Sequence, residues 1–357
     1  MSDVSRLAGV SKMTVSRVLT EPALVAEETR NRVLQAIEQL RYVPDRVAGS
    51  LSSRRTGFVA AILPTLMNAN FADTAHGLTE ELRRAGYQLL IGYTLYRLDE
   101  EENLIRAMLA RRPEAIVLTG MVHTREATRL LLEAGVPVVE IWDIGERPID
   151  QAVGFSNDEI GRVAARTLIG LGHRRIGALG PAAEGAARDF RGEDRLAGFI
   201  ATLREAGLAD DLILRHPSVP LSFTEGANLM GALLDRAPDV EAVFAVSDLL
   251  AVGAIMECHR RCVRVPETVS ILGFGDFEIG RQCVPSLSTI RIEARAIGRR
   301  AAEVILEAVN ATVPVNDRTP VSDLGFHVLA RDSTHAAGRS RTDRRKGPHR
   351  LRVDTST

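Results

Sequence analysis

The chain has 357 residues, 45% of them apolar, and a formal net charge of −1; this is too long for one core and reads as a soluble chain of two or three domains. No apolar run is long enough to span a bilayer, and the polar, helical first residues are unlike a signal sequence, which excludes a membrane span and points to the cytoplasm. Three cysteines, Cys258, Cys262 and Cys283, give neither a disulfide framework nor paired metal spacing.

The near-zero total hides an asymmetry. Residues 1–56 hold nine Lys/Arg against six Asp/Glu and residues 334–357 seven against two, leaving 29 against 38 in between. A basic head on an acidic body confines any nucleic-acid contact to one end, because phosphate neutralisation drives such binding and the like-charged body is held off.

In chain order, residues 3–8 form a short helix with Val4 and Leu7 inward, and Gly9 supplies a turn. Ser11 caps a second helix in which Val15, Val18 and Leu19 face a small core, while Lys12, Met13, Ser16 and Arg17 form an outer cationic, hydrogen-bonding face. Residues 27–40 make a third helix, with Glu27 and Glu28 at its positive end and a stripe of Val33, Ile37 and Leu40, stopped by Pro44. Residues 45–52 make about two turns capped by Asp45, too short to hold alone, and Gly49 costs a further ~1 kcal/mol relative to Ala. This hinge segment orders only against a partner.

Asp3-Val4, Ala8-Gly9-Val10-Ser11, Thr14-Val15-Ser16-Arg17-Val18-Leu19, Tyr42-Val43-Pro44 and Arg46-Val47-Ala48 resemble the headpiece of the LacI/GalR family of bacterial transcription regulators. The resemblance implies a DNA surface of Ser11, Lys12, Met13, Thr14, Ser16, Arg17 and Arg46. Within it Lys12, Met13 and Arg17 read major-groove base edges, and Leu51 of the hinge enters the minor groove as an apolar wedge. The first helix starts almost at Met1, short of the family pattern, so that either Ser2 caps it or the start lies upstream.

From Gly57 short apolar runs alternate with amphipathic helices, the pattern of a parallel sheet covered on both faces. Strands are predicted at residues 58–63, 88–92, 115–119, 136–141, 152–155, 176–179, 212–214, 242–246 and 269–274, too many for one open sheet. The expected architecture is an N-terminal all-α helix-turn-helix headpiece (1–44), a hinge helix and linker (45–56), and an α/β core (57–333) of two doubly wound parallel lobes with a cleft between them. The core resembles periplasmic sugar-binding proteins, which implies crossings between lobes near residues 157, 286 and 320. The Arg-, Ser- and Gly-rich residues 334–357 read as a disordered basic tail without leucine heptads, which leaves a homodimer as the expected assembly.

Ligands of such sheets bind beyond the carboxyl ends of the strands. Thr65, Phe71, Thr94, Thr119, His123, Arg195, Ser247, Asp248 and Asp276 fall there. Arg195 opens Arg-Leu-Ala-Gly-Phe, which resembles the family position that holds effector hydroxyls or carboxylates. Gly275 stands where many sugar-binding members carry Asp, removing a charge that would repel an anion. Pro137-Val138-Val139-Glu140, Ala152-Val153-Gly154-Phe155 and residues 248–254 resemble the gluconate-operon repressor branch. The expected effector is gluconate or a related aldonate, with Arg195 on its carboxylate and Thr119, His123, Ser247 and Asp248 on its hydroxyls. The other readings are a neutral sugar or purine effector and, more remotely, a sugar-acid enzyme.

Little favours catalysis. Gly273, Gly275 and Gly280 have the wrong spacing for a dinucleotide loop, and no phosphate loop, nucleophile elbow or His-Glu-x-x-His is present. Cys258 and Cys262 at i, i+4 read as buried thiols of one helix rather than metal ligands, so neither cofactor nor metal is expected, and Trp142 is expected near the cleft.

Overall fold

Helix α1 (Ser2–Ala8) ends at Gly9, whose φ of 65° allows its N–H to close back on the Arg6 and Ser5 carbonyls. In the computed structural model, which describes residues 1–42, 56–145, 147–310 and 321–337, the chain divides into two units, Met1–Gly57 and Phe58–Thr357. The hinge residues Arg46 and Leu51, and the tail beyond residue 337, lie outside the described residues, whereas residues 334–337, expected in the disordered tail, are held in place, the His335 N–H donating to Ser270 Oγ at 3.2 Å and the Ala337 N–H to the Leu171 carbonyl at 2.7 Å.

The first unit continues with α2 (Lys12–Thr20), a short 3-10 turn (Pro22–Leu24) and α3 (Glu27–Gln39). Val4, Ala8, Val15, Val18, Val33 and Ala36 are its buried core, with Val10, Leu19 and Ile37 packed alongside. Two expectations are corrected by a small rotation of helix phase. Leu7 is 47% exposed, Ala8 taking the inward place, and Leu40 is 42% exposed, the stripe of α3 running through Val33, Ala36 and Ile37. Ser2 is not a cap either: Met1 stands at that position and no side chain caps the helix.

The second unit holds two six-stranded sheets. The first runs β11-β5-β4-β3-β1-β2, built from β1 (Phe58–Leu63), β2 (Gln88–Tyr93), β3 (Ile116–Thr119), β4 (Val138–Ile141), β5 (Gln151–Gly154) and β11 (Val321–Asp323). The second runs β12-β10-β9-β8-β6-β7, from β6 (Ile176–Pro181), β7 (Ile213–His216), β8 (Ala242–Ala245), β9 (Ser270–Phe274), β10 (Ser288–Arg291) and β12 (His327–Leu329). All pairings are parallel except β10 with β12. Central strands such as Phe-Val-Ala-Ala-Ile-Leu of β1 and Ala-Val-Phe-Ala of β8 are apolar without alternation because helices cover both faces.

The three crossings are at residues 155–157, 292–293 and 324–326. The last two come later than expected, because β10 pairs with β9 in the second sheet and β11 with β5 in the first. Residues 287–291 therefore belong to the second lobe and 321–323 to the first, the reverse of the sequence reading. A row of rings passes between the lobes: Phe71 to Trp142 at 4.7 Å, Trp142 to Phe155 at 5.7 Å, and Phe155 to Phe274 at 6.0 Å between centroids.

The helices are α4 (Ala69–Arg84), α5 (Leu98–Leu109), α6 (Arg125–Ala134), α7 (Asn157–Gly170), α8 (Phe190–Glu205), α9 (Phe223–Arg236), α10 (Asp248–Arg260), α11 (Glu278–Gln282) and α12 (Ala294–Asn310). Three pairs among them meet backbone to backbone at glycines. A Cβ on Gly161 of α7 would sit 1.9 Å from the Arg195 carbonyl oxygen, and one on Gly198 of α8 would sit 2.0 Å from that of Asp158. Gly77 and Gly298 join α4 to α12 in the same way, and Gly226 and Gly253 join α9 to α10. Larger residues there would force each pair apart.

Candidate functional site

On α2 the Ser11 Oγ accepts from the Thr14 N–H at 3.1 Å and lies 2.9 Å from the Thr14 hydroxyl, so both side chains are engaged in the cap. Lys12, Met13 and Arg17 are exposed, Met13 at 71%, and Ser16 is half-buried beside them. The outward face is thus a cation at each end with an apolar thioether near one of them, suited to base edges and phosphates.

Between the lobes lies a cavity of about 360 Å³, within the usual size of small-molecule sites. Of the expected residues, Thr65, Phe71, Arg195 and Ser247 line it, as does Trp142. Arg195, one turn into α8, is buried; its Nη1 donates to Asn157 Oδ1 and its guanidinium lies 4.3 Å above the Phe274 ring. Its Nε has no hydrogen-bond partner. Burial pushes its pKa down, opposed by the charge of Asp189, whose Oδ2 is 3.8 Å from Nη2.

Arg191 enters the same cavity, also buried, and was not anticipated. It reaches out of the second lobe into the first: Nη1 donates to the Thr119 carbonyl at 3.2 Å and the guanidinium faces the Phe71 ring at 5.8 Å. Gly120 makes room for it, since a Cβ there would stand 2.8 Å from Nη1. The signal was in the sequence: Arg191 and Arg195 are four apart on one helix and must share a face. Asp189 and Tyr96 are further lining residues that sequence reasoning missed, and Asn70, next to Phe71 at the start of α4, lines the cavity as well. Among the lining residues two guanidiniums thus face one carboxylate, with Asp143 and Asp194 within electrostatic reach of Arg195, and both Arg195 Nε and Asp189 Oδ1 are buried without a hydrogen bond. The lining residues of the aromatic cavity alone hold two guanidiniums to one carboxylate.

Several expected residues do other work. Thr94 and Thr119 line a second, small chamber, and the Thr119 hydroxyl donates to the Ile62 carbonyl. The His123 side chain is buried and lines neither chamber, its Nδ1 lying 2.6 Å from Oε1 of Glu101, which lines the small one, and its Nε2 3.2 Å from Glu140 Oε1. Burial alone would lower its pKa, but hydrogen bonds to the two carboxylates raise it to about 9. Asp248 is fully buried, accepting from the Thr289 hydroxyl at 2.6 Å and the Phe277 N–H at 2.8 Å, and burial raises its pKa to about 6. Asp276 is tied to Arg281 and Arg331. His123 and Asp248, expected on hydroxyls, and Asp276, expected in the effector site, thus lie outside the lining of the main cavity and are held by partners within the protein. Ser247 lines the cavity while its hydroxyl also accepts from the Leu249 N–H.

Among the described residues there is no group of three metal-binding side chains, and no helix is long and apolar enough to cross a membrane.

Residues 1–45 match the bacterial regulatory proteins of the lacI family, and residues 165–334 match a periplasmic binding protein-like domain. The chain is 39% identical over 335 residues to the HTH-type transcriptional regulator GntR of Pseudomonas aeruginosa, covering 94% of this chain and 95% of that one. It is 32% identical to the HTH-type transcriptional regulator IdnR of Escherichia coli, over 92% and 96% of the two chains. Among solved structures, a LacI-family transcriptional regulator from Silicibacter pomeroyi superposes with a TM-score of 0.86 at 32% identity, over 94% of this chain and 98% of that one.

Proposed function

The chain belongs to the LacI family of bacterial regulatory proteins, a DNA-binding transcriptional regulator, and on that premise we propose that it is a repressor released from its operator by a sugar acid such as gluconate. The observation that carries the effector class is the pair of buried guanidiniums, Arg191 and Arg195, in a cavity lining whose one carboxylate is Asp189, with Asp143 and Asp194 acting on Arg195 from outside that lining. A carboxylate supplies a second negative charge and acceptors, while Thr65, Asn70 and Ser247 offer polar groups to hydroxyls and Phe71 and Trp142 offer faces to the carbon chain.

At the other end, Lys12, Met13, Ser16 and Arg17 read the major groove, with Ser11 and Thr14 holding the helix and meeting the backbone. Arg46 and Leu51 of the hinge segment add a phosphate contact and a minor-groove wedge. A homodimer in the cytoplasm presents two such headpieces to two half-sites. Ligand binding in the cleft is coupled to operator binding, and a coupling of ~1–3 kcal/mol changes operator occupancy about 5- to 150-fold.

The test is a fluorescence-anisotropy titration on a palindromic operator duplex at fixed salt, with and without gluconate. Release by gluconate carries the reading. Tight binding indifferent to gluconate removes the effector and leaves the regulator.

A further inference from the structure

Asp189 stands at the N-cap of α8, where its main-chain carbonyl accepts from the Glu193 N–H at 2.9 Å. An aspartate at this position ordinarily turns its side chain onto the first free N–H groups of the helix, but the Asp189 carboxylate makes no cap hydrogen bond. It belongs instead to the lining of the main cavity and lies over Gly192, where a Cβ would stand 2.7 Å from Asp189 Oδ2 and 3.0 Å from the Pro181 ring. The bare glycine leaves the carboxylate its place.

The two cations beside it do not use it up. Arg191 Nη2 is 3.5 Å from Oδ1 and Arg195 Nη2 is 3.8 Å from Oδ2, ion-pair distances beyond a good hydrogen bond, and Oδ1 accepts none among the described residues. The guanidinium hydrogen bonds go elsewhere, from Arg191 to the Thr119 carbonyl and from Arg195 to Asn157. Asp189 therefore keeps acceptor capacity, and 14% of its side chain is open. An ionised carboxylate only accepts, so what it takes from a ligand is a donor.

We infer that Asp189 is the residue that reads position 2 of the effector: it accepts the hydroxyl on the carbon that bears the carboxylate, so that the site selects 2-hydroxy acids. The inference rests on the proposed sugar-acid reading. With the effector's carboxylate on Arg191 and Arg195, the oxygen on the adjoining carbon is held beside the one lining carboxylate that both arginines already face. An acid with no donor at that carbon leaves a desolvated carboxylate unpaired, which is a strong ground for rejecting it.

Calorimetric titrations of wild type and Asp189→Ala with gluconate, 2-deoxygluconate, 2-amino-2-deoxygluconate and glucose carry the test, and thermal unfolding checks that the variant is folded. Wild type should favour gluconate over 2-deoxygluconate by about tenfold or more, and Asp189→Ala should bring the two within about threefold of each other. A mere counter-ion behaves otherwise: its removal beside two arginines shifts every acid alike and leaves the ratio where it was. A wild type that takes both acids equally, or a folded Asp189→Ala that keeps the preference, overturns the inference while the sugar-acid reading stands. If the variant does not fold, wild type decides alone. The ammonium of 2-amino-2-deoxygluconate is drawn to a carboxylate and repelled by arginines, so this acid should bind more tightly than 2-deoxygluconate, and equal or weaker binding overturns the inference. Glucose bound in place of the acids removes the sugar-acid reading, and the inference with it. If wild type takes none of the four, both fall.

Discussion

Arg195 donates through Nη1 to Asn157, and Asn157 in turn donates to the Trp142 carbonyl at 3.0 Å and to Asp143 Oδ1 at 3.1 Å. The guanidinium of the second lobe is thereby tied to the first lobe at the crossing that joins them. Its plane lies over Phe274, so the site uses both the fork and the flat face of arginine. Lysine keeps the charge and loses both. Arg195→Lys is therefore expected to weaken effector binding by about 10- to 100-fold in a calorimetric titration, the range for losing one charged hydrogen bond. An unchanged affinity would show that charge alone, not the planar fork, holds the ligand.

His123 gives a pH signature. Its pKa in the folded chain is about 9, against 6.5 ordinarily, because the hydrogen bonds to Glu101 and Glu140 outweigh the opposing effect of burial. A raised base contributes stability that is full below pH 6.5 and is lost as pH rises through about 9, on the order of 3 kcal/mol in all. Wild type should therefore lose thermal stability between pH 6.5 and 9.5 relative to His123→Gln, whose curve should be flatter. Parallel curves for the two would mean that the imidazole is neutral.

The parallel core was legible because strands buried on both faces leave unbroken apolar runs, as in β1 and β8. β10, β11 and β12 were not, since Ser-Thr-Ile-Arg, Val-Ser-Asp and His-Val-Leu are short and become strands only by pairing with distant segments. The crossings were misplaced for the same reason. In the cleft, sequence position brought His123, Asp248 and Asp276 to the right neighbourhood, but their partners, carboxylates for His123, a hydroxyl and an amide for Asp248 and arginines for Asp276, come from elsewhere in the chain. Arg195 was found by motif, and Arg191 could have been found by helical spacing.

The outward face of α2 predicts two separable effects. Lys12→Ala and Arg17→Ala each remove an exposed cation while leaving Val15 and Val18 in the core. Each should cost ~1–3 kcal/mol of specific operator affinity and flatten the salt dependence of binding by about one unit of slope if the lost contact is to phosphate. Ser11→Ala instead removes the cap and should lower headpiece stability by about 0.5–2 kcal/mol. Anisotropy titrations at several salt concentrations, paired with thermal melts, distinguish the two. A cation variant that binds operator and random DNA as wild type does would take that residue off the DNA face.

The glycine contact between α7 and α8 ties stability to the cleft. A methyl group on Gly161 would sit 1.9 Å from the Arg195 carbonyl and 2.7 Å from the Phe199 N–H nitrogen, both backbone atoms of α8, so the helices must separate. Overpacking of this kind costs typically ~1–3 kcal/mol. The displaced helix also carries Arg191 and Arg195, whose distances to Thr119 and Asn157 span the lobes and the crossing. Gly161→Ala should therefore lose effector affinity along with stability, as sites loosened by about an ångström do. Gly170, at the far end of the same helix, has open space at its Cβ, and Gly170→Ala should be neutral or stabilising by up to ~1 kcal/mol with binding intact. Urea denaturation and calorimetry on the two variants give the comparison. Full effector affinity in a destabilised Gly161→Ala would mean that α8 keeps its arginines in place without the close approach of α7.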